Sequence, residues 1–102
     1  MKIAHLTSAH PRHDIRIFVK ECASLAAAGH EVHLIVADGL GDEINRDVRF
    51  HDVGAKSGGR LSRMTGTVKR VYEKTLQLMP DVAHFHDPEL IPAALRLQQA
   101  GI

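Results

Sequence analysis

Along the chain the apolar positions switch between two periods, and the switches mark an alternation of strands and helices. Lys2 to Thr7 (KIAHLT) is a short apolar run of the kind expected for a strand buried on both faces. After the polar loop Ser8 to His13, residues Ile15, Phe18, Val19, Cys22, Leu25 and Ala26 recur at helical spacing on one face. Asp14 stands where an N-cap belongs, because its carboxylate can accept from the free amides of the first turn. Gly29 is placed to close that helix in a left-handed conformation. Glu31 to Ala37 (EVHLIVA) predicts a second strand, Asp38 to Gly41 a turn, and Val48 to Val53 (VRFHDV) a third, weaker strand.

Gly54 to Arg60 is flexible by composition, and beyond it Leu61, Met64, Val68, Val71, Thr75 and Leu78 step by three and four. That spacing predicts an amphipathic helix, weakened by Gly66 and stopped by Pro80. Asp81 to His86 (DVAHFH) predicts a fourth strand. Asp87-Pro88 opens a last helix running to Ala100 and closing at Gly101, with its first turn kinked or loosely bonded at Pro92. The whole order predicts an α/β fold: a Rossmann-like open, mostly parallel sheet of about four strands with helices on both faces. Right-handed crossovers put the first, second and fourth strands side by side and parallel. The link from Asp38 to Asp47 is about ten residues, short for a parallel crossover, and leaves the direction of the third strand open.

Composition bounds this picture. A chain of 102 residues has room for one domain at most, and 44% hydrophobic with 25% charged residues describes a folded, globular one. A net charge of +1 gives no ground for nucleic-acid binding. The single cysteine, Cys22, excludes an intrachain disulfide and suits a reducing compartment. No apolar run approaches the ~20 residues that span a bilayer, and MKIAHLT has no signal-peptide character. A cytoplasmic protein is expected. Eight histidines are many for this length and call for an explanation.

Ligands of open α/β sheets bind beyond the carboxyl ends of the strands. The segments Ser8–His13, Asp38–Gly41 and His86–Glu89 reach that edge and carry His10, Arg12, His13, Asp14, His86, Asp87 and Glu89. The sequence has no GxGxxG after the first strand, no P-loop, no GxSxG elbow, and no CxxC or HExxH motif. In His84-x-His86-Asp87 the two histidines share one face of a strand. A divalent metal on His84 and His86, with Asp87, His10 or His13 completing the set, is therefore one reading, and with His84, His86 and Asp87 it would serve a hydrolase. The plainer reading makes His84 a packed core histidine and leaves only His86 at the working edge. A receiver-like, non-catalytic α/β binding module is a further alternative, but residues 8 to 13 lack the acids it needs.

Residues 5 to 39, HLTSAHPRHDIRIFVKECASLAAAGHEVHLIVADG, resemble the opening of bacterial family 4 glycosyltransferases of the GT-B fold, and residues 81 to 97, DVAHFHDPELIPAALRL, resemble their fourth strand and following helix. The resemblance implies two Rossmann-like domains across a cleft, the N-terminal one binding the acceptor and the C-terminal one the nucleotide-sugar. It makes residues 1–102 the first part of the N-terminal domain, without the donor-binding domain and its E-x7-E segment, and so inactive alone. It implies retaining, hexosyltransferase-type chemistry with no metal or other cofactor, on a polysaccharide or lipid-linked acceptor of the cell surface. His86, in an HxH[DE]P-like segment, is then the catalytic histidine, pointing into the cleft near the transferring sugar. His10, Arg12, Asp14 and Arg16 shape the acceptor side, and Asp87 and Glu89 complete the candidate substrate-binding set. Ser8-Ala9-His10-Pro11 replaces the two glycines that often approach the donor phosphates there. For Asp14 the simpler role is a helix cap, and for Arg16 a pairing with a nearby acid. Arg60, Arg63, Lys69, Arg70 and Lys74 give the second helix a basic flank suited to peripheral contact with the inner face of the cytoplasmic membrane. The rival there is a solvated helix face. A four-stranded sheet with an open growing edge also predicts self-association through that edge.

Overall fold

The computed structural model describes residues 1–8, 11–55, 66–87 and 90–101. The apolar runs form a sheet of five strands: β1 (Lys2–Leu6), β2 (Glu31–Val36), β3 (Glu43–Asn45), β4 (Val48–Asp52) and β5 (Val82–Phe85). Their order across the sheet is β3-β4-β2-β1-β5, and every neighbouring pair is parallel except β3 with β4. β1 therefore lies inside the sheet, with Leu6 beside Ile35 on one side and Phe85 on the other.

The third strand expected from sequence is β4, and it runs parallel to β2, pairing Val36 with Asp52. The short link suffices because part of it is β3, which returns the chain in extended form. An extended chain covers about 3.3 Å per residue, where a helix covers about 1.5 Å. The fifth strand is thus an addition to the four expected. It is joined to β4 by the two-residue turn Arg46-Asp47, both at positive φ (52° and 61°), as a type I′ hairpin demands.

Helix α1 is a wide, π-wound stretch Ile15–Cys22 that runs directly into an α-helical turn, Ala23–Ala27. Asp14 caps it as expected, its Oδ1 accepting the Ile17 amide at 3.0 Å. The amide of Ala23 donates to the carbonyl of Phe18, five residues back. This winding moves the inward face: Ile17, Phe18, Cys22 and Ala26 are buried, while Ile15, expected inside, is 70% exposed. Helix α2 (Val68–Leu78) buries Val68, Val71 and Thr75 and ends at left-handed Met79 before Pro80. The expected apolar positions Leu61 and Met64, and the basic Arg60 and Arg63, lie outside the described residues. Helix α3 spans Ile91–Gln99, and its expected opening at Pro88 lies outside the described residues. Pro92 sits in the first turn of that stretch, where helices tolerate a residue without an amide hydrogen.

The helices cover both faces. α1 sets Ile17, Phe18, Cys22 and Ala26 on Val32, Leu34, Val36, Val48 and Phe50. α2 and α3, with Leu90 just before it, set Val68, Val71, Leu90, Ala93 and Leu97 on Ala4, Leu6 and Ile35. Alternate residues of β2 serve opposite layers, which is why its sequence is a continuous apolar run. β5 forms an open edge: Val82 is 43% and Phe85 40% exposed. Phe85, Ile91 and Leu95 line an apolar groove of about 330 Å3 beside it.

Candidate functional site

The carboxyl ends of β1, β2 and β5 meet at one edge, and three hydrogen-bonded joints build the site there. The first holds β1 to β5. The amide of His86 donates to the Leu6 carbonyl at 3.0 Å, continuing the ladder one residue past β5. Asp87 Oδ2 then accepts from Thr7 Oγ1 at 2.9 Å and from the Ser8 amide at 2.8 Å. Thr7, Ser8 and Asp87 are all buried, so these charge-assisted bonds are screened little by solvent. Asp87 thereby fixes the backbone on both sides of the strand ends.

The second joint is built on Arg12, only 6% exposed. Its Nε and one terminal nitrogen bind Asp38 in a fork, each at 2.6 Å. The same guanidinium reaches Glu43 Oε1 at 3.1 Å and the Gly41 carbonyl at 2.7 Å. The loop after β1 is thereby tied to the loop after β2 and to β3. The Arg12 hydrogen bonds hold both the Asp38 and Glu43 carboxyls below the ordinary carboxylate range and raise the guanidinium's own value further. Asp52 closes the same loop from β4, its oxygens accepting the amides of Gly39, Gly41 and Gly54. Burial alone pushes the Asp52 carboxyl up, but those three amides outweigh it and the net shift is downward.

The third joint is made of histidine. His5 on β1 is paired in register with His84 on β5, and His86 follows one pleat along the same face. The rings form a ladder: His5 to His84 at 5.1 Å, His84 to His86 at 4.3 Å, His5 to His86 at 5.2 Å between centroids. His5 Nδ1 and His86 Nε2 lie 2.9 Å apart and share a hydrogen bond. Glu21 of α1 approaches from above, its carboxylate 3.9 Å from His86 Nδ1. On the opposite face His33 and His51 make a second stack, Nδ1 to Nε2 at 2.7 Å, with Glu31 at 2.6 Å from His33 Nε2. Five of the eight histidines are thus accounted for by two cross-strand ladders.

Burial works against a proton on one ring of each ladder, His5 and His51. His5 is pushed down to about 4 by burial, with charge on His86 and His84 adding to it. His51 is also pushed down to about 4, by burial first and then by His33 and Lys74. In an unfolded chain both take up a proton near 6.5. The unfolded state binds more protons between these values, so stability is whole above pH 6.5 and is lost as pH falls toward 4. Urea unfolding in chelator-treated buffer should show a slope approaching two protons in that window. His51→Gln should remove one of them. A flat profile from pH 6.5 to 4 contradicts this account of the ladders.

The sequence-derived candidates therefore fall into groups. His86 and Asp87 meet the end of β1, Arg12 meets the end of β2, and Asp14 caps α1. Arg16 is exposed on the first turn of α1. His10 and Glu89 lie outside the described residues. The ligand set His84, His86 and Asp87 is not what the fold assembles: Asp87 is directed to Thr7 and Ser8, and His5 is the third member of the histidine group. His5, Asp38, Glu43, Asp52 and Glu21 escaped sequence reasoning. The signal for Asp38 and Glu43 was indirect, since an arginine that becomes buried requires acids. On the helix α2 flank, Arg70 is used internally, its Nε donating to the Val53 carbonyl at 2.8 Å. Among the described residues no helix is long and apolar enough to cross a membrane. A family model described as Glycosyltransferase Family 4 matches residues 16–102. No curated protein and no solved structure matches the chain.

Proposed function

The chain belongs to glycosyltransferase family 4, and from that premise we propose that it is the acceptor-side part of an enzyme moving a hexose from a nucleotide-sugar to a polysaccharide or lipid-linked acceptor, with retention of configuration. The donor is held by a second domain outside these 102 residues, and the work is done on the cytoplasmic side. The observation that carries this reading is the placement of His86. It is delivered by β5 to the carboxyl edge of the sheet, where open α/β sheets bind ligands, and its ring is held by His5. An oriented imidazole at that edge offers a hydrogen bond to a sugar hydroxyl, or to charge developing as the glycosidic bond to the nucleotide breaks.

Around it the chain supplies rigidity more than contacts. Arg12 binds three acceptors of the protein itself and acts on an acceptor glycan through the loops it fixes. Arg16, exposed beside those loops, is the cation best placed to meet an acceptor's phosphate or acidic sugar. Release of nucleoside diphosphate from UDP-glucose, UDP-galactose, UDP-N-acetylglucosamine and GDP-mannose tests the proposal in two preparations. The protein carrying a donor-binding domain after these residues should turn over at least one donor, and the 102 residues alone should turn over none. Turnover by the 102 residues alone, or by neither preparation with any donor and membrane-extracted acceptor, defeats the reading.

A further inference from the structure

We propose that His5, His84 and His86 form a binding site for a divalent transition-metal ion of the zinc type. The inference goes beyond the transferase reading and does not rest on it; an ion held there engages both nitrogens of His86 and so excludes the sugar contact proposed above while it is bound. Three imidazoles from two adjacent strands each place a nitrogen within 4.8 Å of the others. The set arises from pleat and register: His5 and His84 are cross-strand partners, and His86 stands two residues on along the same face. Imidazole nitrogen is a preferred ligand of zinc, bound at about 2.0–2.1 Å, so two nitrogens on one tetrahedral ion lie roughly 3.3 Å apart. His5 Nδ1 and His86 Nε2 are at 2.9 Å and need open by only a few tenths of an ångström. His84 is exposed, which gives its ring room to turn inward and gives an ion a way in.

Once Nε2 of His86 ligates the ion, the ring's proton resides on Nδ1, which faces the Glu21 carboxylate at 3.9 Å. Carboxylates in that position commonly orient zinc-bound imidazoles, and a small shift of Glu21 completes the contact. The buried thiol of Cys22 lies outside this set and, pushed up to about 12 by burial, has no thiolate to offer.

Calorimetric titration of Zn2+ into the chelator-stripped 102-residue chain should give one equivalent bound. His84→Ala, an exposed position whose loss the fold tolerates, should weaken binding on the order of 100-fold, at the upper end of what losing even an outer-shell partner costs. In the unaltered chain, Zn2+ should shift the ring signals of His5, His84 and His86 in NMR spectra and leave those of His30 in place. No binding, unchanged affinity in His84→Ala, or shifts confined to His13, His33 and His51 overturns the proposal. Because these readouts register the ion and not sugar transfer, they stand or fall independently of the enzyme activity.

Discussion

Replacing Arg12 by methionine should cost about 3 kcal/mol of unfolding free energy, the lower end of the range for breaking a buried ion pair. The lower end applies because Asp38 and Glu43 keep 21% and 31% of their side-chain surface in water and regain solvation when orphaned. For a domain of this size that lowers Tm by roughly 12–24 °C. Arg12→Lys should recover little. A single ammonium cannot reproduce the fork onto Asp38 while also reaching Glu43 and the Gly41 carbonyl. A double-mutant cycle with Asp38→Asn separates pairing from packing, since the pair should cost clearly less than the two single changes summed. Urea unfolding measures all of these. An Arg12→Met protein as stable as the original contradicts the view that this guanidinium fastens the two loops. The sign of the pH response follows as well: Asp38 is held below its ordinary range, so the contribution of the pair is present above the unfolded carboxyl value and fades as pH falls through the folded one.

The legible part of the fold was the part written in local pattern. β1, β2, β4 and β5, the Asp14 cap and the apolar stripe of α2 follow from spacing and cap chemistry within a few residues. β3 was not legible because it is three residues long and its type I′ turn uses Arg46-Asp47, with neither asparagine nor glycine to announce it. The inward face of α1 was misplaced at Ile15 because a π-wound register has no signature in a four-residue periodicity. The site shows the same division. His86 could be assigned to a strand end, and the shared face of His84 and His86 read from alternation. That His5 is their partner, 81 residues from His86, depends on β5 choosing the free side of β1. Arg12 offers the sharper lesson. Its type and position at the working edge suggested a ligand contact, yet the fold surrounds it with acids from 26 and 31 residues away.

His86→Ala in the intact enzyme should lower kcat by about 10²–10³, the usual cost of removing one oriented donor at a site of developing charge. If the contact forms only as the sugar leaves its nucleotide, kcat and kcat/KM fall together and KM for the donor stays near its original value. The ring is nearly enclosed, with 4% of its side-chain surface exposed, so circular dichroism and Tm must first establish that the variant is folded. His86→Gln keeps a hydrogen-bonding group at similar reach but loses the ring that stacks on His84 and pairs with His5, so it should restore only part of the rate. His5→Phe asks a different question, because it leaves His86 in place and removes only its partner. If His5 orients the ring, that change should lower kcat by about tenfold, in line with outer-shell partners elsewhere. Its loss should also grow with temperature as the imidazole, without the His5 hydrogen bond, samples other rotamers. A folded His86→Ala enzyme with kcat within twofold of the original removes His86 from the reaction, and the edge of β5 with it.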